Sequence, residues 1–158
     1  MMSFVVRGLI VTLWLGLAAG PVLAAGSSSS SSPAKTQDSA YTKAQDLIAA
    51  SKFQAAVPLL QKAIAADPKS ADAYNLLGFS QRKLGNKENA FASYQKALAL
   101  EPEHLGANEY LGELYLETGQ IEKARERLEI LDGACFLGCD EYRELKAAIK
   151  TYRPSNGG

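Results

Sequence analysis

Few residues in this chain could do covalent or metal chemistry. Cys135 and Cys139 are its two cysteines, and His104 is its one histidine. The cysteines lie in Gly133-Ala134-Cys135-Phe136-Leu137-Gly138-Cys139, a segment whose glycines favour a compact turn. Two thiols this close suit a structural disulfide in an oxidising compartment, a soft-metal site for Cu(I), or disulfide exchange. A copper carrier usually adds a histidine or methionine ligand. Here His104 stands far off beside Glu103, and both methionines, Met1 and Met2, open the chain. A redox enzyme more often places Cys-x-x-Cys in a thioredoxin-like setting, which is missing from the sequence. A Cys135–Cys139 disulfide is therefore the expected state, worth about 2 kcal/mol for so short a loop. A thiol-dependent copper carrier or redox protein is the alternative.

The remaining chemistry is sparse. There is no second histidine for a zinc site, no glycine-rich phosphate loop after a strand, and no nucleophile elbow. His104 reads as a surface residue, and no catalytic residue, metal or cofactor is expected. The 17 basic and 17 acidic side chains balance, which argues against a polybasic nucleic-acid surface. At 158 residues the chain has room for one ordinary domain.

The N-terminal segment, 1–24, has the layout of a secretory signal. Arg7 gives the positive end, Leu9 to Ala19 form a short apolar stretch, Gly20-Pro21 break it, and Val22-Leu23-Ala24 offer a peptidase site. Cleavage is expected after Ala24, with Ala25 the near alternative and an uncleaved anchor the competing reading. The product should be nearly neutral and periplasmic or secreted, with no membrane insertion after cleavage. Residues 25–36, with serines from Ser27 to Ser32 and then Pro33, read as a flexible linker.

An internal period positions everything else. Pro68 and Pro102 set an interval, and Ala56, Ala90 and Ala124 keep it. So do Ala63 and Ala97, Gly78 and Gly112, and Gly85 and Gly119. In the middle unit Ala73, Tyr74, Leu77 and Leu84 form one helical stripe, and Ala90, Phe91, Tyr94, Ala97 and Leu98 form a second. Gly85 closes the first helix in a left-handed conformation, Asn86 is placed to cap the next, and Glu101-Pro102 ends it. Pro58 falls inside the second helix of the first unit and should bend it. Beyond the cysteines, Asp140 is placed to cap a last helix carrying Tyr142, Leu145, Ala148 and Ile149 on one side.

These residues resemble the tetratricopeptide repeat family. Tyr74-Asn75-Leu76-Leu77-Gly78 matches the family's aromatic-x-x-Leu-Gly start, and Ala90, Tyr94, Ala97 and Pro102 match its second helix. The third unit matches through Leu111, Gly112, Tyr115, Gly119, Ala124 and Leu128, but has Asn108 for the aromatic and no closing proline. The first keeps Leu47, Phe53, Ala56, Leu60, Ala63 and Pro68, with Lys43-Ala44 in place of Leu-Gly. The resemblance implies an all-α, right-handed solenoid of three helix pairs (37–70, 71–104 and 105–132). A cysteine-containing turn and capping helix (133–152) and a disordered tail (153–158) would follow.

It also implies a concave face, lined by the first helix of each pair, where a protein or peptide partner binds. Helical spacing points Tyr41, Gln45, Asp72, Asn75, Phe79, Arg82, Glu109 and Glu113 towards that face. Phe79 and Tyr41 would give apolar contact, Asn75 would bond a peptide backbone, and Arg82 would meet a carboxylate. Glu109 and Glu113 would make the C-terminal end acidic. The carboxylate clamp of chaperone-binding relatives is not implied, because Tyr41, Gln45, Gly106 and Tyr110 occupy the matching region. The expected function is that of a non-enzymatic, monomeric periplasmic adaptor that holds a partner segment during envelope complex assembly. On this reading Arg82→Glu or Phe79→Ala weakens binding and leaves helical content unchanged.

Overall fold

The computed structural model describes residues 33–136 and 138–153. The expected signal (1–24), most of the serine-rich stretch, and all of the expected tail except Arg153 lie outside them. Seven helices, and no strand, occur among the described residues: α1 (Pro33–Ala49), α2 (Phe53–Ala66), α3 (Ala71–Lys83), α4 (Lys87–Leu100), α5 (Leu105–Glu117), α6 (Ile121–Ala134) and α7 (Asp140–Thr151). Helix α1 begins at Pro33, inside the segment read as a linker, since proline is well suited to a first helical turn.

The pairs α1–α2, α3–α4 and α5–α6 pack as hairpins, and each packs on the next. The first helices α1, α3, α5 and α7 also touch in succession, forming one layer, with α2, α4 and α6 behind it. The core lies between the layers in local clusters. Ala44, Ala56, Leu60 and Leu77 make one, Ala90, Tyr94, Leu111 and Leu114 another, and Leu116, Ala124, Leu131 and Leu145 a third. Helix α2 runs unbroken through Pro58.

Each hairpin closes on a left-handed residue at the same place in the period. Gly85 has φ +81° and Gly119 φ +76°. Ser51 takes that place in the first unit, with φ 56°. All three turns share one bond pattern: Lys52 N–H donates to Leu47 C=O, Asn86 N–H to Gln81 C=O, and Gln120 N–H to Tyr115 C=O. Asn86 sits at the start of α4, but its side chain makes no capping bond.

The junctions between units repeat as well. Ser70 N–H donates to Asp67 C=O, His104 N–H to Glu101 C=O, and Gly138 N–H to Cys135 C=O, each pair one full period after the last. Cys135 and Phe136 thus stand where Asp67-Pro68 and Glu101-Pro102 stand earlier. The third junction lacks the proline and instead carries the Cys135–Cys139 disulfide. Gly133 lies within α6, not in the turn. Cys139, not Asp140, holds the N-cap position of α7, and Asp140 pairs instead with Arg143.

Helix α7 is more than a cap. Leu77, Leu111 and Leu145 fall at one position of the period and are all buried, so α7 stands in register as the first helix of a fourth unit.

Candidate functional site

The layer of first helices carries the residues expected to bind a partner, and most of them are committed within the chain. Arg82, on α3, reaches α5. Its guanidinium donates to Glu113 at 2.5 Å and to Glu117 at 2.8 Å, and it also lies over the Tyr110 ring, 5.8 Å from its centre. Its side chain is only 7% exposed. Lys87 adds a contact to Glu117 at 3.6 Å. The expected carboxylate partner of Arg82 is therefore its own chain, across a repeat boundary.

Phe79 is half-buried between two rings. Phe53 packs edge-on to it at 5.8 Å, Tyr110 tilts against it at 4.9 Å, and the Lys83 ammonium lies 5.1 Å from its ring centre. Tyr41 packs on the first core cluster; burial first, and Asp72 second, raise its pKa. Gln45 is exposed on α1.

Asp72 is exposed, yet its carboxylate meets His104 Nε2 at 3.0 Å. His104 is the N-cap of α5, and its Nδ1 accepts from Ala107 N–H at 3.2 Å. With Nδ1 accepting, a neutral ring carries its proton on Nε2, facing Asp72. The imidazole is 10% exposed and bridges two units, which corrects its reading as a surface residue.

Asn75 and Glu109 are buried, against the expectation that they project freely. Asn75 is 6% exposed, and its Oδ1 has no hydrogen-bond partner. Its Nδ2 crowds Gly106, where an added β-carbon would lie 2.9 Å away. Glu109 is 3% exposed and shares a hydrogen bond with Glu144 of α7. Burial pushes its pKa up to about 8, with Glu144, Glu113 and Glu141 adding to the rise, so it is protonated at neutral pH. Glu113, bound to Arg82, remains half-buried.

The structure thus joins Phe79, Arg82, Glu109 and Glu113 with Tyr110 into one α3–α5–α7 cluster, and Asp72 with Tyr41 into another place on the same layer. Sequence reasoning missed Tyr110, Glu117, His104 and Glu144. The one signal for them was the period, which sets Tyr110 and Glu144 at equivalent places in successive units. Asn108, read only as a departure, is fully buried. Its Nδ2 donates to Pro102 C=O at 3.0 Å and to His104 C=O at 3.1 Å, securing the start of α5 where the family's aromatic would stand.

The helix pairs, left-handed turns and repeating register all belong to one architecture, and two family models described as "Tetratricopeptide repeat" match residues 41–101 and 83–149. The chain belongs to the tetratricopeptide repeat family. The second match reaches into α7, in agreement with its place in a fourth unit. Among similar solved structures, MamA residues 41 to the end from Desulfovibrio magneticus RS-1 is 27% identical, with a TM-score of 0.57, covering 60% of this chain and 54% of that one. The Sgt2 TPR domain from Aspergillus fumigatus shares the fold at 18% identity and TM-score 0.65, covering 72% of this chain and 77% of that one. The first TPR of Spaghetti, bound to an HSP90 peptide, does so at 16% identity and TM-score 0.66, covering 73% and 92%. Tetratricopeptide repeat protein 1 of Schizosaccharomyces pombe is 34% identical over 77 residues, 44% of this chain and 7% of that protein. Cellulose synthase operon protein C of Escherichia coli is 42% identical over 62 residues, 38% of this chain and 5% of that protein. The chain therefore matches only a small part of these relatives' length. Among the described residues no helix is long and apolar enough to cross a membrane.

Proposed function

We propose that this chain is a non-enzymatic adaptor of the periplasm that holds a segment of a partner protein along the layer of first helices. The observation that carries the reading is the aromatic run Phe53–Phe79–Tyr110, whose three rings stay only half-buried and leave apolar surface for a partner segment. Peptide-bound tetratricopeptide structures of the same fold, such as that of Spaghetti, support a segment as the ligand. Export rests on the signal-like pattern of residues 1–24. The disulfide supports an oxidising destination and gives Cys135 and Cys139 the task of holding the α6–α7 junction.

The structure changes the choice of probe. Arg82 and Phe79 brace the fold, so their substitution would confuse binding with stability. Photo-crosslinking residues at exposed Gln45 and Lys83 sample the first-helix layer, and the same at exposed Lys62 and Lys96 samples the second helices. Adducts formed from Gln45 and Lys83 alone are expected in native envelopes. Adducts from Lys62 or Lys96 alone would move the binding surface to the other side. The mass of the exported protein tests the leader: it should begin at Ala25, and a chain retaining residues 1–24 would overturn the cleavage.

A further inference from the structure

Opposite charges are unevenly shared along this chain. Residues 33–100, which hold the first two units, carry nine basic and five acidic side chains, whereas residues 101–153 carry seven and twelve. A net positive half therefore meets a net negative half at the boundary between the second and third units. Polar bridges cross that boundary at both ends of α3. Near its C-terminal end Arg82 bonds Glu113 and Glu117 of α5, and Lys87 of α4 adds its contact to Glu117. Near its start Asp72 meets His104, the N-cap of α5. The pairs Arg125–Glu122 and Arg143–Asp140, by contrast, each stay within one helix.

Behind these bridges the apolar packing is interrupted. Helices α4 and α5 join through Ala90, Tyr94, Leu111 and Leu114, with Ala97 and Ala107 beside them. A cavity opens at each end of that contact. One, of about 760 Å³, is lined by Leu100, Pro102, His104 and Gly106. The other, of about 340 Å³, is lined by Lys87 and Phe91 of α4 and by Leu114 and Thr118 of α5. Two buried polar atoms of α3 at this boundary, Asn75 Oδ1 and Arg82 Nε, have no hydrogen-bond partner. Leaving them unmet costs free energy in the closed arrangement, and separation of α3 from α5 lets water reach them. The boundary between the first two units is different, because it closes on the apolar cluster of Ala44, Ala56, Leu60 and Leu77.

We propose that the boundary between the second and third units is a hinge. Residues 101–104 are its connector, the apolar α4–α5 contact is its fulcrum, and the Arg82 and Asp72–His104 bridges latch the first-helix side shut. Opening separates α3 from α5 and parts Phe79 from Tyr110, whose rings lie 4.9 Å apart across the same boundary. The closed chain presents the aromatic run as one strip, and the open chain divides it. The hinge stands on its own observations. Its effect on a partner rests on the groove reading above, since a segment lying along the whole run selects the closed state.

Distances between spin labels in the purified chain, without a partner, test the hinge. The labels are attached through a non-canonical residue, so the disulfide stays intact. Exposed Gln45 and Lys150 span the boundary on the first helices, exposed Lys62 and Glu129 span it on the second helices, and Gln45 with Lys83 stays within the first two units. In Arg82→Ala the Gln45–Lys150 distance should lengthen and its distribution broaden. The Lys62–Glu129 distance should hold or shorten, and Gln45–Lys83 should not move. The Lys87→Ala/Glu117→Ala variant, on the more exposed side of the latch, should shift the same pair by less, and it decides the matter if Arg82→Ala loses helical content. A Gln45–Lys150 distance unchanged in both variants, or equal lengthening of all three pairs, would overturn the hinge. Neither result touches the crosslinking test, so the groove can stand with a rigid boundary, and a hinge can be found in a chain whose partner binds elsewhere.

Discussion

Leu145 of α7 is seated directly on Gly112 of α5: a β-carbon built on the glycine would lie 2.6 Å from Leu145 Cδ2. Both are buried, which leaves the leucine little room to give way. Gly112→Ala should therefore cost about 1–3 kcal/mol, read as a lower urea midpoint. Gly133→Ala is the matched control. It is also helical, but an added methyl meets nothing within 4 Å, so it should stabilise the chain by about 0.5–1 kcal/mol. Equal effects of the two substitutions would refute the close α5–α7 approach.

The Arg82 brace predicts a stability loss where the sequence predicted only a binding loss. Glu113 and Glu117 are partly exposed, which discounts the loss for solvent screening, so Arg82→Ala should cost about 1–3 kcal/mol. Arg82→Glu should cost more, because it sets three carboxylates together. A double-mutant cycle with Glu113→Ala should show a coupling of about 1 kcal/mol, and additive costs would rule the brace out.

Glu109 makes stability depend on pH. In the folded chain it keeps its proton up to about pH 8, against an ordinary value of 4.5 once unfolded. Between these limits the folded state binds more protons, so this group's contribution to stability is fully present below pH 4.5 and is lost as pH rises through 8. The slope from this group is at most about 1.4 kcal/mol per pH unit. Chemical denaturation at pH 5, 6, 7 and 8 should show the decline, and Glu109→Gln should flatten it. An unchanged slope in the variant would assign the effect to another group.

Ser51 holds a left-handed backbone where the later units use glycine. That conformation costs a residue with a side chain about 1–2 kcal/mol, partly offset by the greater freedom of glycine when unfolded. Ser51→Gly should raise stability by about 0.5–1 kcal/mol in thermal or urea unfolding. A loss would mean that the serine side chain supports the turn.

How much of this was legible beforehand varied with the kind of contact. Repeated small residues and prolines exposed the period, since packing and turns impose the same demand in every unit. The cysteine pair was readable from its spacing. The Arg82–Glu113 pair was not, because it joins residues of neighbouring units that only the stacked helices bring together. Glu109 was read as exposed because carboxylates usually are, and only the α7 docking geometry buries it. The α7 register was hidden by the disulfide turn, which replaces the proline punctuation of the earlier junctions. His104 looked like a surface residue because it stands beside Glu103 at a repeat junction, while its partners are Asp72 and its own helix start.

The disulfide closes the one junction without proline. The Cys135→Ser/Cys139→Ser chain should lose about 2 kcal/mol. Its amide exchange should quicken in α7 first, since the bridge joins that helix to the end of α6. Loss spread evenly over all the helices would show that the bridge does not act locally. Intact mass after alkylation without reduction should show no modified thiol.

The column Leu77, Leu111 and Leu145 also bears on how such a gene can change length. A duplication or excision of one full period between units returns every core leucine to its neighbour and adds or removes a finished helix pair. An insertion of a few codons inside a helix turns those leucines out of the core. Lineages of this gene should therefore differ by whole repeats, or by changes at the turns, and seldom by anything between.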